Sequence, residues 1–91
     1  MPCTFYILYS KDLDRYYIGH TCDQIEERLR KHLSNHKGFT AMTKDWEVVY
    51  TEYYPEKTIA YRREMEVKSW KKRSRIERLL EMNEGSEHPA P

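Results

Sequence analysis

From Thr4 to Ser10 the chain reads Thr-Phe-Tyr-Ile-Leu-Tyr-Ser, a run of aromatic and branched side chains that fits a pleated strand. The polar Lys11-Asp12-Leu13-Asp14 predicts a turn, and Tyr16 to Gly19 the returning strand. In an antiparallel hairpin, Tyr6 and Leu8 face one way and Phe5, Ile7 and Tyr9 the other. Tyr17 likewise faces away from Tyr16 and Ile18.

Beyond the hairpin the apolar period lengthens. Asp23 followed by Glu26 has the form of a capping box with Asp in place of Ser or Thr, and Ile25, Leu29 and Leu33 recur at helical spacing. A helix is predicted over residues 23–34, on which Arg28 and His32 stand four apart and project from one side toward a common ligand. Lys37-Gly38 predicts its close and a polar loop. Trp46 to Tyr53 alternates loosely around Val48 and Val49 and stops before Pro55, the pattern of a third strand.

Thr58 is positioned to cap a second helix, with Ala60, Glu64, Val67 and Lys71 along one stripe and Tyr61, Met65 and Lys68 beside it. Glu64 therefore falls on or near the buried side. Ser74 and Glu77 repeat the capping-box spacing and predict a short third helix that turns Ile76, Leu79 and Leu80 inward. The pattern implies an α+β fold, a small three-stranded antiparallel sheet flanked by helices. One domain is expected over residues 1–82, with a flexible tail over 83–91.

With 91 residues there is room for one small core, and 38% hydrophobic content is too high for a disordered chain. No apolar run is long enough to span a bilayer, so no membrane partner is expected. Cys3 and Cys22 lack the paired spacing of a structural zinc site and follow no apolar leader. Two reduced thiols and a cytoplasmic location are expected.

The net charge of +1 hides a polarity along the chain. Residues 1–56 carry 7 basic and 9 acidic side chains, residues 57–91 carry 9 and 6. The densest basic stretch, Lys68 to Arg75, is a candidate nucleic-acid surface through Lys68, Lys71, Lys72, Arg73 and Arg75. A solvated helix face accounts for the run equally well.

Tyr6 and Tyr17 on adjacent strands, with Ile18-Gly19 completing the second signature, resemble the paired motifs of the GIY-YIG nuclease superfamily. Arg28, His32 and the segment Ala60-Tyr61-Arg62-Arg63-Glu64 through Val67-Lys68 agree in order and spacing. The likeness covers about Phe5 to Leu80 and is nearest to small stand-alone bacterial members related to the amino-terminal nuclease domain of UvrC. At the first signature Thr4-Phe5-Tyr6 replaces Gly-Ile-Tyr, which keeps the phenol and changes backbone freedom.

The resemblance implies a divalent-metal-dependent endonuclease acting on DNA, including branched, damaged or single-stranded forms, in repair or recombination. Tyr6, Tyr17, Arg28, His32 and Glu64 are the implied catalytic residues. Glu64 would hold one Mg²⁺ or Mn²⁺, since a hard cation binds through one carboxylate with water and phosphate oxygens. Arg28 offers a permanently charged fork of donors to a phosphate. Tyr6 would accept or orient the proton of the attacking water. Its ordinary pKa of ~10 is an obstacle that a metal and Arg28 would reduce, and His32 would take the proton onward.

Tyr17 reads equally as packing, His20 and His36 read first as solvated histidines, and Trp70 as core or a helix contact ahead of base stacking. The chain is too short for a second DNA-reading domain, so a protein partner is a candidate for target selection. The alternative function is a catalytically inactive nucleic-acid-binding module of the same fold; a third is a protein-interaction domain using exposed aromatics.

Overall fold

The computed structural model describes residues 2–34 and 38–85. Strands β1 (Cys3–Ser10), β2 (Arg15–Thr21) and β3 (Glu47–Tyr54) form one antiparallel sheet in the order β2-β1-β3. Helix α1 (Ile25–Ser34) and a 3-10 turn (Phe39–Met42) connect β2 to β3, and α2 (Lys57–Trp70) and α3 (Arg73–Gly85) follow. The α+β architecture expected from the hydrophobic pattern is the one observed. Among the described residues no helix is long and apolar enough to cross a membrane.

β1 is the central strand and is buried along nearly its whole length. That explains its continuous apolar run, because both of its faces are covered. Phe5 and Ile7 pack with Ile18 and Val67, joined by Trp70, Ile76, Leu79 and Leu80 from α2 and α3. Tyr6 and Leu8 pack with Trp46 on the opposite face, joined by Tyr17, Ile25, Leu29 and Leu33. The alternation expected of the hairpin is therefore kept, and the sheet lies between α1 on one side and α2 with α3 on the other.

Ser10 pairs with Arg15 across a four-residue loop whose last member, Asp14, adopts a left-handed conformation at φ 54°. Aspartate tolerates this better than most residues. Its carboxylate accepts from Tyr9 Oη and Arg73 Nη2, each at 2.6 Å, so the loop is tied to the start of α3.

The cysteines depart from expectation. Cys3 and Cys22 form a disulfide with their Cα atoms 4.0 Å apart, rather than remaining two thiols. The hairpin register explains the pairing: Thr4 lies opposite Thr21, so the next residues outward, Cys3 and Cys22, are brought together at the strand ends.

The helix caps also differ. Asp23 meets Lys31 at 3.5 Å, and α1 begins later, at Ile25. α2 starts at Lys57 after an extended Glu56 that makes no side-chain cap, which leaves Thr58 inside the helix. α3 starts at Arg73, whose Nε donates to Glu77 at 2.8 Å, so Glu77 serves an ion pair in place of a capping box with Ser74. Ion pairs have overridden weak local signals at α1 and α3. α3 also continues to Gly85, beyond the domain end expected at residue 82. Lys37, His36 and the rest of the expected tail, residues 86–91, lie outside the described residues.

Candidate active site

Tyr6 projects from the central strand across the edge strand. Its register partner is Gly19, and a Cβ built there would lie 2.7 Å from the phenol oxygen. Only a residue without a side chain leaves room for the ring, so the glycine of the second signature is required by close approach rather than by a turn. The phenol points to where α1 crosses this face. Tyr6 Oη lies 2.8 Å from His32 Nε2, and Arg28 Nε donates to the phenol oxygen at 3.3 Å.

Four-residue spacing on α1 is what lets Arg28 and His32 meet one phenol. Tyr17 lies beside them, its ring centroid 4.9 Å from that of His32 and 6.5 Å from that of Tyr6. It forms the wall between the imidazole and Trp46, 6.4 Å away on its other side.

Burial raises the Tyr6 pKa above its ordinary value; Arg28 opposes that rise through its hydrogen bond and charge, while Tyr17 and Glu64 add to it. The phenol therefore stays protonated at neutral pH, against the expected lowering by Arg28. Burial, then the charge of Arg28, lowers the His32 pKa and keeps its imidazole neutral. Arg28 donates to the phenol oxygen, and Tyr6 Oη and Nε2 of the neutral imidazole share one hydrogen bond whose direction is set by the His32 tautomer.

The second half of the site approaches from the other face of the sheet. His20 follows Gly19 and so points the opposite way, toward α2. Its Nδ1 is 2.6 Å from Glu64 Oε1, and Lys68 Nζ donates to Glu64 Oε2 at 2.5 Å. Glu64 lies on the buried stripe with Ala60 and Val67, as expected. Its charge nonetheless acts on the Tyr6 phenol. The two clusters thus flank one edge strand, with Gly19 beneath the phenol and His20 holding the carboxylate.

Of the five expected catalytic residues, Tyr6, Tyr17, Arg28 and His32 meet on the α1 face of the sheet, and Glu64 lies across β2 on the α2 face. His20, expected to be solvated, is instead a hydrogen-bond partner of Glu64; its place directly after Gly19 was the available signal. Tyr61 rests edge-on against His20 at 5.7 Å and is about half exposed at the rim.

The expected basic surface divides. Lys68 belongs to the Glu64 cluster, and Arg73 is engaged with Asp14 and Glu77. Lys71, Lys72 and Arg75 remain exposed. Among the described residues no group of three or more His, Cys, Asp or Glu is assembled that could hold a metal, and Glu64 and His20 are the carboxylate and imidazole in contact at this site.

Residues 2–77 match the GIY-YIG catalytic domain. The chain is also similar to the UPF0213 protein BH0048 from Bacillus halodurans, whose solution NMR structure superposes with a TM-score of 0.57 at 34% identity, over 90% of this chain and 85% of that one. No curated protein matches the chain.

Proposed function

The chain belongs to the GIY-YIG catalytic-domain family, a family of nucleases, and from that premise we propose that it is a divalent-metal-dependent endonuclease that hydrolyses phosphodiester bonds in DNA. The observation that carries this reading is the convergence of Tyr6, Arg28 and His32 over Gly19, with Glu64 held by His20 on the other side of the same strand. A pure binding module has no need of a phenol, a neutral imidazole and a guanidinium in contact, with a buried carboxylate behind the same strand.

Hydrolysis requires that a water lose a proton as it attacks phosphorus and that charge on the phosphate be neutralised. Tyr6 takes the water's proton on its oxygen while passing its own to His32 Nε2. This route avoids forming a phenolate that burial disfavours. Arg28 uses Nε on the phenol, and its two terminal nitrogens are left to grip phosphate oxygens. Tyr17 fixes the imidazole ring, and the packing around Tyr6, which is only 1% exposed, keeps bulk water from the path.

Glu64, with His20 beside it, fits a hard divalent cation, Mg²⁺ or Mn²⁺, since one carboxylate completed by water and phosphate oxygens satisfies such an ion. When bound, the cation would supply Lewis acidity at the phosphate and the leaving oxygen. Lys68, which donates to the carboxylate, would be free to turn toward the phosphate backbone with a cation on Glu64.

Branched, damaged and single-stranded DNA, as met in repair or recombination, are the proposed substrates, with a protein partner directing the enzyme to its target. The proposed location is the cytoplasm. The test is to incubate the protein with single-stranded, nicked and branched DNAs plus Mg²⁺ or Mn²⁺, comparing it with Glu64→Ala. Metal-dependent cleavage that disappears in the variant supports the proposal. Binding without cleavage by either protein, across the panel, replaces it with an inactive nucleic-acid-binding module.

A further inference from the structure

Where α2 hands over to α3 the surface carries a groove of about 470 Å³, with Trp70, Leu79 and Met82 as its apolar lining and Lys72, Arg75 and Arg78 around it. Several cations nearby are already paired. Arg63 is paired with Glu52 and Glu66, Lys68 with Glu64, and Arg73 with Asp14 and Glu77. Lys72, Arg75 and Arg78 are exposed and have no carboxylate partner among the described residues. Three uncompensated positive charges around one groove repel each other, and an anion placed among them relieves that repulsion.

The lining narrows the choice of anion. Trp70 packs against the Phe5, Ile7 and Val67 cluster yet remains only partly buried. The Arg75 guanidinium lies over its ring, 4.5 Å from the centroid, while Arg63 approaches at 5.7 Å. An indole with a guanidinium on its face is a stacking platform for a planar ring. A paired base in a duplex has its faces covered and cannot use it. An unpaired nucleotide can place its base on the Trp70–Arg75 pair and its phosphates against Lys72 and Arg78.

We infer that this groove binds a single-stranded segment of nucleic acid, so that the enzyme acts where a cleavable strand continues into unpaired nucleotides. The inference rests on the nuclease reading for its purpose and not for its chemistry. Trp70 follows Glu64 by six residues on α2, roughly 9 Å along the helix axis at ~1.5 Å per residue. At ~3.4 Å per stacked nucleotide, that axial distance is about three steps of a strand.

The test measures binding in EDTA, without cleavage, by anisotropy of a labelled oligothymidylate and of a labelled blunt duplex. Trp70→Phe retains an aromatic ring in the core, and Trp70→Leu removes it; Arg78→Gln alters only an exposed side chain. The Leu variant is expected to weaken oligothymidylate binding by about 5- to 50-fold and leave duplex binding unchanged, with the Phe variant between. Arg78→Gln is expected to weaken oligothymidylate binding and reduce its salt dependence.

Thermal melts identify any unfolded variant, and Arg78→Gln keeps the test decisive if Trp70→Leu does not fold. Oligothymidylate binding unchanged in the folded Trp70 variants, or unchanged in Arg78→Gln, overturns the inference. So does an equal loss on duplex and single strand. Glu64-dependent cleavage measured separately distinguishes the two readings: cleavage with no effect at the groove removes the groove alone, and groove binding with no cleavage of any DNA removes the nuclease reading alone.

Discussion

The phenol of Tyr6 occupies the space that a side chain at residue 19 would need. A Cβ on Gly19 would stand 2.7 Å from the phenol oxygen and 2.8 Å from the ring carbon that bears it. The ring is almost fully buried and cannot swing away without leaving Arg28 and His32. Gly19→Ala is therefore expected to lower stability by about 1–3 kcal/mol, the usual range for overpacking. It should also abolish cleavage, because the phenol is displaced from both partners. Urea unfolding and a cleavage assay on the folded fraction check the two effects separately.

In the proposed mechanism Arg28 holds the phenol and a phosphate at once, through different nitrogens. Arg28→Lys keeps the charge but offers one compact ammonium in place of a fork. A loss of at least about 100-fold in single-turnover cleavage is expected, comparable to removing one preorganised donor at a developing charge. DNA affinity, measured by anisotropy, should change far less. Equal losses in both would show Arg28 to be a binding residue only.

Glu64 has opposing neighbours, and the two should move metal affinity in opposite directions. His20 orients the carboxylate, so His20→Ala is expected to weaken Mn²⁺ binding by about 10- to 100-fold. Lys68 competes for the same carboxylate, so Lys68→Ala is expected to tighten Mn²⁺ binding a few-fold in the absence of DNA. Electron paramagnetic resonance of free Mn²⁺ reads both, independently of cleavage.

The pH dependence follows from His32. Its ordinary pKa of 6.5 is lowered in the folded protein, by burial first and by Arg28 second. The folded imidazole therefore remains neutral as pH falls below that value, and cleavage should persist there until the lowered pKa is reached. The unfolded chain takes up a proton earlier. His32 thus contributes stability above about pH 6.5 that is lost as pH falls toward the folded pKa. A pH–rate profile of His32→Gln should lack the acid limb and lie well below wild type.

The Cys3–Cys22 bridge closes a loop with a sequence separation of 19. Reduction is expected to lower stability by about 3 kcal/mol, the chain-entropy figure for a loop of this length. Urea midpoints with and without dithiothreitol measure it. Cys22→Ser should match the reduced protein and be indifferent to the reductant.

The sequence by itself determined the hairpin, the third strand, the three helices and the face on which each strand residue lies. Those features follow from local periodicity, which the chain obeys from Phe5 to Leu80. It also determined which of these side chains share a face, since strand alternation turns Tyr6 and Tyr17 the same way and helix spacing aligns Arg28 with His32. Where each helix begins was less legible, because ion pairs such as Asp23–Lys31 and Arg73–Glu77 took the residues that capping would have used.

Only the tertiary structure decided which distant groups meet. Hairpin register set Cys3 against Cys22 and Tyr6 against Gly19, and the packing of α2 beside the edge strand brought Glu64 to His20. Such pairings join residues up to 44 positions apart. No local pattern encodes them, and the same three-dimensional choices commit Lys68 and Arg73 to carboxylates while leaving Lys72, Arg75 and Arg78 around the Trp70 groove.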